Sequence, residues 1–187
     1  MKLSFIVAVV LLATITGCKS KTAFNYSEKI VKLEKDLGPE IANTEKQMAK
    51  FLETQAYDSV ISVSTRMENL VESKLEIIRN TQAPTVPEAD NFKKAAIRYF
   101  TYMKTIYSTY KNYASQTEEE GREKARQEWA SIAEQGDDEV NSMQMAQRKY
   151  AEANNFKIRG EKPQSITEEK KEDVKEDISE GKKDEKK

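Results

Sequence analysis

The sequence predicts an all-α fold, an antiparallel four-helix bundle over residues 25–159, and three observations carry that expectation. Four stretches repeat apolar residues at steps of three and four, the joints between them are short or marked by proline, and no stretch shows the period-two alternation of a half-buried strand.

The first helix is expected over about 26–54. Asn25 and Glu28 have capping-box spacing, and Ile30, Leu33, Leu37, Ile41, Met48 and Phe51 then share one face. Gly38-Pro39 lies inside this stretch. Proline lacks a backbone donor and crowds the carbonyl four residues back, so a kink or short break is expected there with the apolar face continuing through it. The second helix, about 58–81, follows a turn in which Asp58 or Ser59 can act as N-cap, and it carries Val60, Val63, Met67, Leu70, Val71, Leu75 and Ile78. Pro84 and Pro87 end it.

The third helix, about 87–114, has the most regular period: Phe92, Ala96, Tyr99, Met103, Ile106, Tyr110 and Tyr113 form a bundle seam. Ser115 and Glu118 repeat the capping-box spacing, which makes the next joint short and the next helix antiparallel. That fourth helix, about 117–155, places Ala125, Trp129, Ile132, Val140, Met143, Ala146 and Tyr150 on one face. Gln135-Gly136-Asp137-Asp138 interrupts it, so it either bends at Gly136 or overhangs the bundle. Residues 160–187 are dominated by Lys, Glu and Asp, with Ile166, Val174 and Ile178 as the only aliphatics. Such a stretch buries too little apolar area to offset its ordering entropy and is expected to be a disordered charged tail.

The chain opens with Lys2 and an apolar run from Leu3 to Ile15. A bilayer span needs roughly 20 apolar residues, so this shorter run reads as a removable signal peptide, residues 1–17. Ile15-Thr16-Gly17-Cys18 resembles the lipobox of bacterial lipoproteins: an aliphatic residue, two small residues and an obligatory cysteine. The resemblance implies cleavage before Cys18, a diacylglycerol on its thiol and a further acyl chain such as palmitate on the new amino terminus. Residues 18–24 would then be a lipidated polar tether. The covalent lipid on Cys18 is the only cofactor-like group expected.

Composition excludes several chemistries. Cys18 is the single cysteine, which leaves no intramolecular disulfide, thiol catalyst or cysteine-ligated zinc. The absence of histidine removes the commonest general base and metal ligand, together with the Glu-x-x-His pair by which helical bundles hold two irons. The six glycines form no phosphate-binding loop. No catalytic residue, no enzyme activity and no metal site are therefore expected. The formal net charge is −1, without the basic excess of a nucleic-acid binder, so no nucleic-acid partner is expected either.

Acidic runs at Glu118-Glu119-Glu120 and Asp137-Asp138-Glu139 fit helix N-termini, where the dipole favours them, better than a calcium loop. Met103, Met143 and Met145 fit gap-filling better than a soft-metal site, since Met145 points away from Met143. The tyrosine-rich stretch 99–113 is the most unusual local feature. Most of it suits a core, but Tyr102 lies off the seam. Tyr99, Tyr102, Met103, Tyr107 and Trp129 are the candidate lining of a groove for a ligand or partner.

Ala146-Gln147-Arg148-Lys149-Tyr150-Ala151-Glu152-Ala153-Asn154-Asn155-Phe156 is similar to the closing helix of uncharacterised helical surface lipoproteins from Bacteroidota and leptospires. That group implies a helical fold and a cell-envelope location and transfers no site residue. Surface export in Bacteroidota goes with acidic residues after the lipidated cysteine, whereas Lys19-Ser20-Lys21 stands here. The expectation is a lipid-anchored envelope protein on the periplasmic face of the outer membrane. It would be non-enzymatic, with an envelope protein partner or structural role, or alternatively an apolar or aromatic small ligand held between its helices.

Overall fold

The computed structural model describes the backbone of residues 4–158 and the side chains of residues 19–158. The predicted tail, 160–187, lies outside the described residues, as does the Cys18 side chain. The fold is all-α: α1 (Ser4–Glu53), α2 (Tyr57–Asn80), α3 (Ala89–Ser115), α4 (Glu119–Ala133) and α5 (Gly136–Ala153). The last two together fill the place of one bundle helix.

Two clusters fix the antiparallel course. At one end, Tyr26 of α1 meets the edge of Phe92 of α3 and of Tyr150 of α5, both at 6.1 Å between ring centroids, and Phe92 stacks on Tyr150 at 5.2 Å. At the other end, Met48 of α1, Val60 of α2 and Ala114 of α3 pack together. The chain therefore runs up, down, up and down, with Lys19 and Phe156 at the same end. The predicted faces of α1 and α2 point inward: Ile30, Leu33, Leu37, Met48, Val60, Met67, Val71, Leu75 and Ile78 are buried.

Several expectations are corrected. The tether is helical: α1 is continuous through residues 19–24, Ala23 is fully buried, and Phe24 meets the edge of Phe156 at 5.8 Å. Asn25 and Glu28 therefore sit inside a helix and do not mark its start, because core contact already begins at Ala23, two residues before Asn25. Pro39 does not break α1 either. Pro39 and its neighbour Gly38 are exposed, so a missing hydrogen bond costs little there, while Leu37 and Thr44 hold the inner face. Glu118, not Ser115, precedes α4, and the Ser115 hydroxyl donates instead to the Lys111 carbonyl. Neither Asp58 nor Ser59 caps α2, which starts after Ala56. α3 starts at Ala89 rather than 87, after Glu88 at φ 62°.

The fourth predicted helix does break. Glu134 and Gln135 keep right-handed helical dihedrals, so the chain is re-aimed by a tight turn. The predicted seam of α3 holds at Phe92, Ala96 and Met103, which are buried, and is otherwise displaced by about one residue. Phe100, Tyr107 and Ala114 are buried, whereas Tyr99, Ile106, Tyr110 and Tyr113 are only half-buried. α3 packs against α2 on one side and α5 on the other, and a helix with two neighbours needs a wider apolar face than one thread supplies.

The Asn-Asn-Phe ending closes the bundle. The Asn154 side-chain amide donates to the Pro87 and Tyr150 carbonyls, at 2.9 and 2.8 Å, tying the end of α5 to the α2–α3 connection. Asn155 takes φ 55°, a left-handed helix stop that asparagine tolerates, and Phe156 returns to meet the edge of Tyr150 at 5.6 Å.

Between α2 and α3, Glu68 accepts hydrogen bonds from Ser108 and Lys111, and Glu72 pairs with Lys104 at 2.8 Å and Arg79 at 2.6 Å. Burial pushes the Glu68 carboxyl up, but Lys111 and Ser108 together outweigh it and hold the group below its ordinary value; the Lys104 hydrogen bond does the same for Glu72. Burial raises Tyr26, Tyr107 and Tyr150 to about 12, helped by Asp90, Glu45 and Tyr26 respectively. Depressed carboxyls contribute stability that is present above their unfolded pKa and lost as pH falls through the folded one. Raised tyrosines contribute stability that is full below about pH 10 and lost as pH climbs toward 12. With no histidine to titrate between, the melting temperature followed by circular dichroism is expected to be flat from about pH 6 to 9 and to fall on both sides. A step near pH 6.5 would contradict this.

Candidate functional site

α4 packs chiefly against α3, and α1 meets α5 mainly near the shared lower end, where Gln147 donates to the Ser27 hydroxyl at 3.2 Å. Higher up, the space between α1, α3 and the start of α5 stays open as a groove of about 600 Å³. α1 supplies Ile41, Thr44, Glu45, Met48, Ala49 and Leu52. Tyr99, Tyr102, Met103, Ile106, Tyr107 and Tyr110 come from α3, and Gly136, Asp137 and Val140 from α5.

Four of the five predicted groove residues, Tyr99, Tyr102, Met103 and Tyr107, line this one site. The fifth, Trp129, does not. It lies against Tyr110 at 5.6 Å and lines an adjoining cavity of about 220 Å³ with Tyr113 and Arg126, and that cavity shares Leu52 and Tyr110 with the groove. Tyr102, off the predicted seam, has its hydroxyl over Gly136: a Cβ there would sit 2.8 Å from it. Glycine at the first position of α5 thus lets α3 and α5 approach closely at the floor of the groove.

The α1 and α5 walls were missed. On α1, Ile41 and Met48 belong to the predicted core face, and Glu45 and Leu52 widen it on one side into a stripe at helical spacing. What faces that stripe is a tertiary fact.

The groove tyrosines are held protonated. Burial, and after it the Glu34 carboxylate, raises Tyr99, whose hydroxyl donates to Glu34 at 3.1 Å. Burial followed by Glu139 and Asp137 raises Tyr102, and burial followed by Glu45 raises Tyr107 to about 12. For Tyr110 burial also dominates, with the Trp129 indole acting the other way. The site thus presents aromatic rings with neutral hydroxyls, aliphatic and thioether surface, and carboxylates at its rim. Such a lining solvates an apolar body and can accept or donate hydrogen bonds at its edge.

The acidic runs sit in the first turns of α4 and α5, as their chemistry suggested. Met103 lines the groove, Met143 is buried and Met145 is 54% exposed, so the three thioethers do not converge. Among the described residues no group of histidine, cysteine or carboxylate side chains is placed to hold a metal ion, and no helix is long and apolar enough to cross a membrane.

Among known proteins, no family model, no curated sequence and no solved structure matches the chain.

Proposed function

We propose that this chain is a non-enzymatic envelope lipoprotein, held to its membrane by lipid on Cys18, whose bundle binds an apolar or aromatic small molecule in the groove between α1, α3 and α5. The lipobox Ile15-Thr16-Gly17-Cys18 supports the anchor. The binding reading rests on one observation: an open groove of about 600 Å³ lined by four tyrosines, two methionines and aliphatic side chains. Ligand sites typically occupy about 300–1,000 Å³ with such a lining.

A broad protein-binding face has less support. Ile77 on α2 and Met145 on α5 are the large hydrophobics exposed among the described residues, and they lie on helices that are not neighbours in the bundle. Stable protein interfaces centre on contiguous apolar patches.

The test uses protein purified from its own host. Native mass spectrometry is expected to show a bound species of a few hundred daltons on the wild-type chain and its loss from Ala49→Trp, which fills the groove from an exposed helical position. A wild-type chain that carries no added mass beyond the lipid, and takes up no hydrophobic probe, would remove the reading.

A further inference from the structure

The lining of the groove is not electrically neutral. Glu45 on the α1 wall and Asp137 on the α5 wall are both exposed at its edge, neither is in an ion pair among the described residues, and no lysine or arginine lines the site. The adjoining acids differ: Glu139 is held by Arg98 at 2.7 Å, and Glu34 accepts from Tyr99. Glu45 and Asp137 are therefore the two carboxylates left for a guest, and they approach it from opposite sides.

Between them stand Tyr99, Tyr102, Tyr107 and Tyr110. The faces of aromatic rings carry negative potential and attract cations, most strongly when water is partly excluded. The four hydroxyls respond to the same field: each is raised first by burial and then by an acid, Glu34, Glu139 with Asp137, or Glu45. An anion would meet this field with no donor of positive charge to offset it. A neutral apolar guest would leave both carboxylates unused.

We propose that the groove selects an organic cation with an apolar or aromatic body, of the quaternary ammonium or phosphonium kind, its charge lying between Glu45 and Asp137 and its body on the tyrosines. This rests on the groove being a binding site. The carboxylates set the sign of the charge accepted, and the Tyr and Met surface sets the affinity for the body.

Tetraphenylphosphonium and tetraphenylborate have the same shape and opposite charge, which makes them a matched pair of probes. Equilibrium dialysis of each against the full chain in non-ionic detergent, wild type and Glu45→Gln/Asp137→Asn, separates the contributions once the micelle uptake of each ion, measured with detergent alone, is subtracted. The wild type is expected to bind the cation at least about tenfold more tightly than the anion, and the double variant to lose roughly tenfold in cation affinity with the melting temperature lowered by no more than about 3 °C, the loss of one first-turn acid from α5. Equal binding of both ions would overturn the charge selectivity and leave the groove standing as an apolar site. A double variant that binds the cation as the wild type does would overturn the assignment to these two acids. Binding of neither probe would overturn the selectivity and the binding site together.

Discussion

A Cys18→Ser chain, exported behind a signal peptide that is cut without lipidation so that the apolar run Leu3–Ile15 is not retained, is expected to incorporate no radiolabelled palmitate and to be washed from membranes at alkaline pH, where the wild type stays. Each buried acyl methylene contributes about 0.8 kcal/mol and one chain anchors only marginally, so two or three chains on residue 18 give attachment that washing does not reverse. Serine cannot form the thioether, and the change should convert retention to release rather than merely weaken it. A wild-type chain that takes up no label, or a variant that fractionates as before, would end the lipoprotein reading. The groove would remain, since no residue lining it depends on the anchor.

The largest loss of stability is expected from Phe92→Ala. Phe92 is fully buried, stacked on Tyr150 at 5.2 Å and edge-on to Tyr26 at 6.1 Å, so truncation removes the ring that joins α1, α3 and α5 at the lower end. Deleting a buried phenylalanine costs about 3–5 kcal/mol, because the walls of the space it leaves collapse only in part. For a chain of this size that lowers the melting temperature by on the order of 10 °C. Ile77→Ala, at a position 40% exposed, is the control and should change stability by about 0.5 kcal/mol or less. A Phe92→Ala loss no larger than the control's would mean that the aromatic cluster does not hold this end of the bundle.

Features written in local chemistry were legible. Pro84 and Pro87 fall within the α2–α3 connection, where two prolines so close together disfavour a helix more than the single exposed Pro39 does in α1, and α1 and α2 bury the faces their spacing marks. Signals that depend on a neighbour misled. The Asn25–Glu28 pair has the spacing of a helix start, but Ala23 is already packed in the core, and tertiary contact extends a helix past a local cap. On α3, a period of 3.6 allows two threads through the same residues. The sequence favours the one through Tyr99, Ile106 and Tyr113, whereas packing against α2 and α5 buries Phe100, Tyr107 and Ala114.

The groove was half legible for the same reason. An unusual density of tyrosine on α3 is a property of one segment and pointed to four of the lining residues. Glu45, Met48 and Leu52 on α1, and Gly136 on α5, acquire meaning only when α4 turns away at Glu134–Gln135 and leaves them facing the gap. Trp129 went astray at that turn, since it lies before the bend and so belongs to the neighbouring cavity.

Because α1 runs unbroken from residue 19 past Thr44, no slack separates a lipid on Cys18 from the groove. At 1.5 Å per residue the two are about 39 Å apart along one rod. A leash of coil would let the mouth of the site reach any distance within its contour; with a lipid on Cys18, a stiff mast would instead fix the length between attachment point and site, so that the site could near the headgroups only by tilting of the whole bundle.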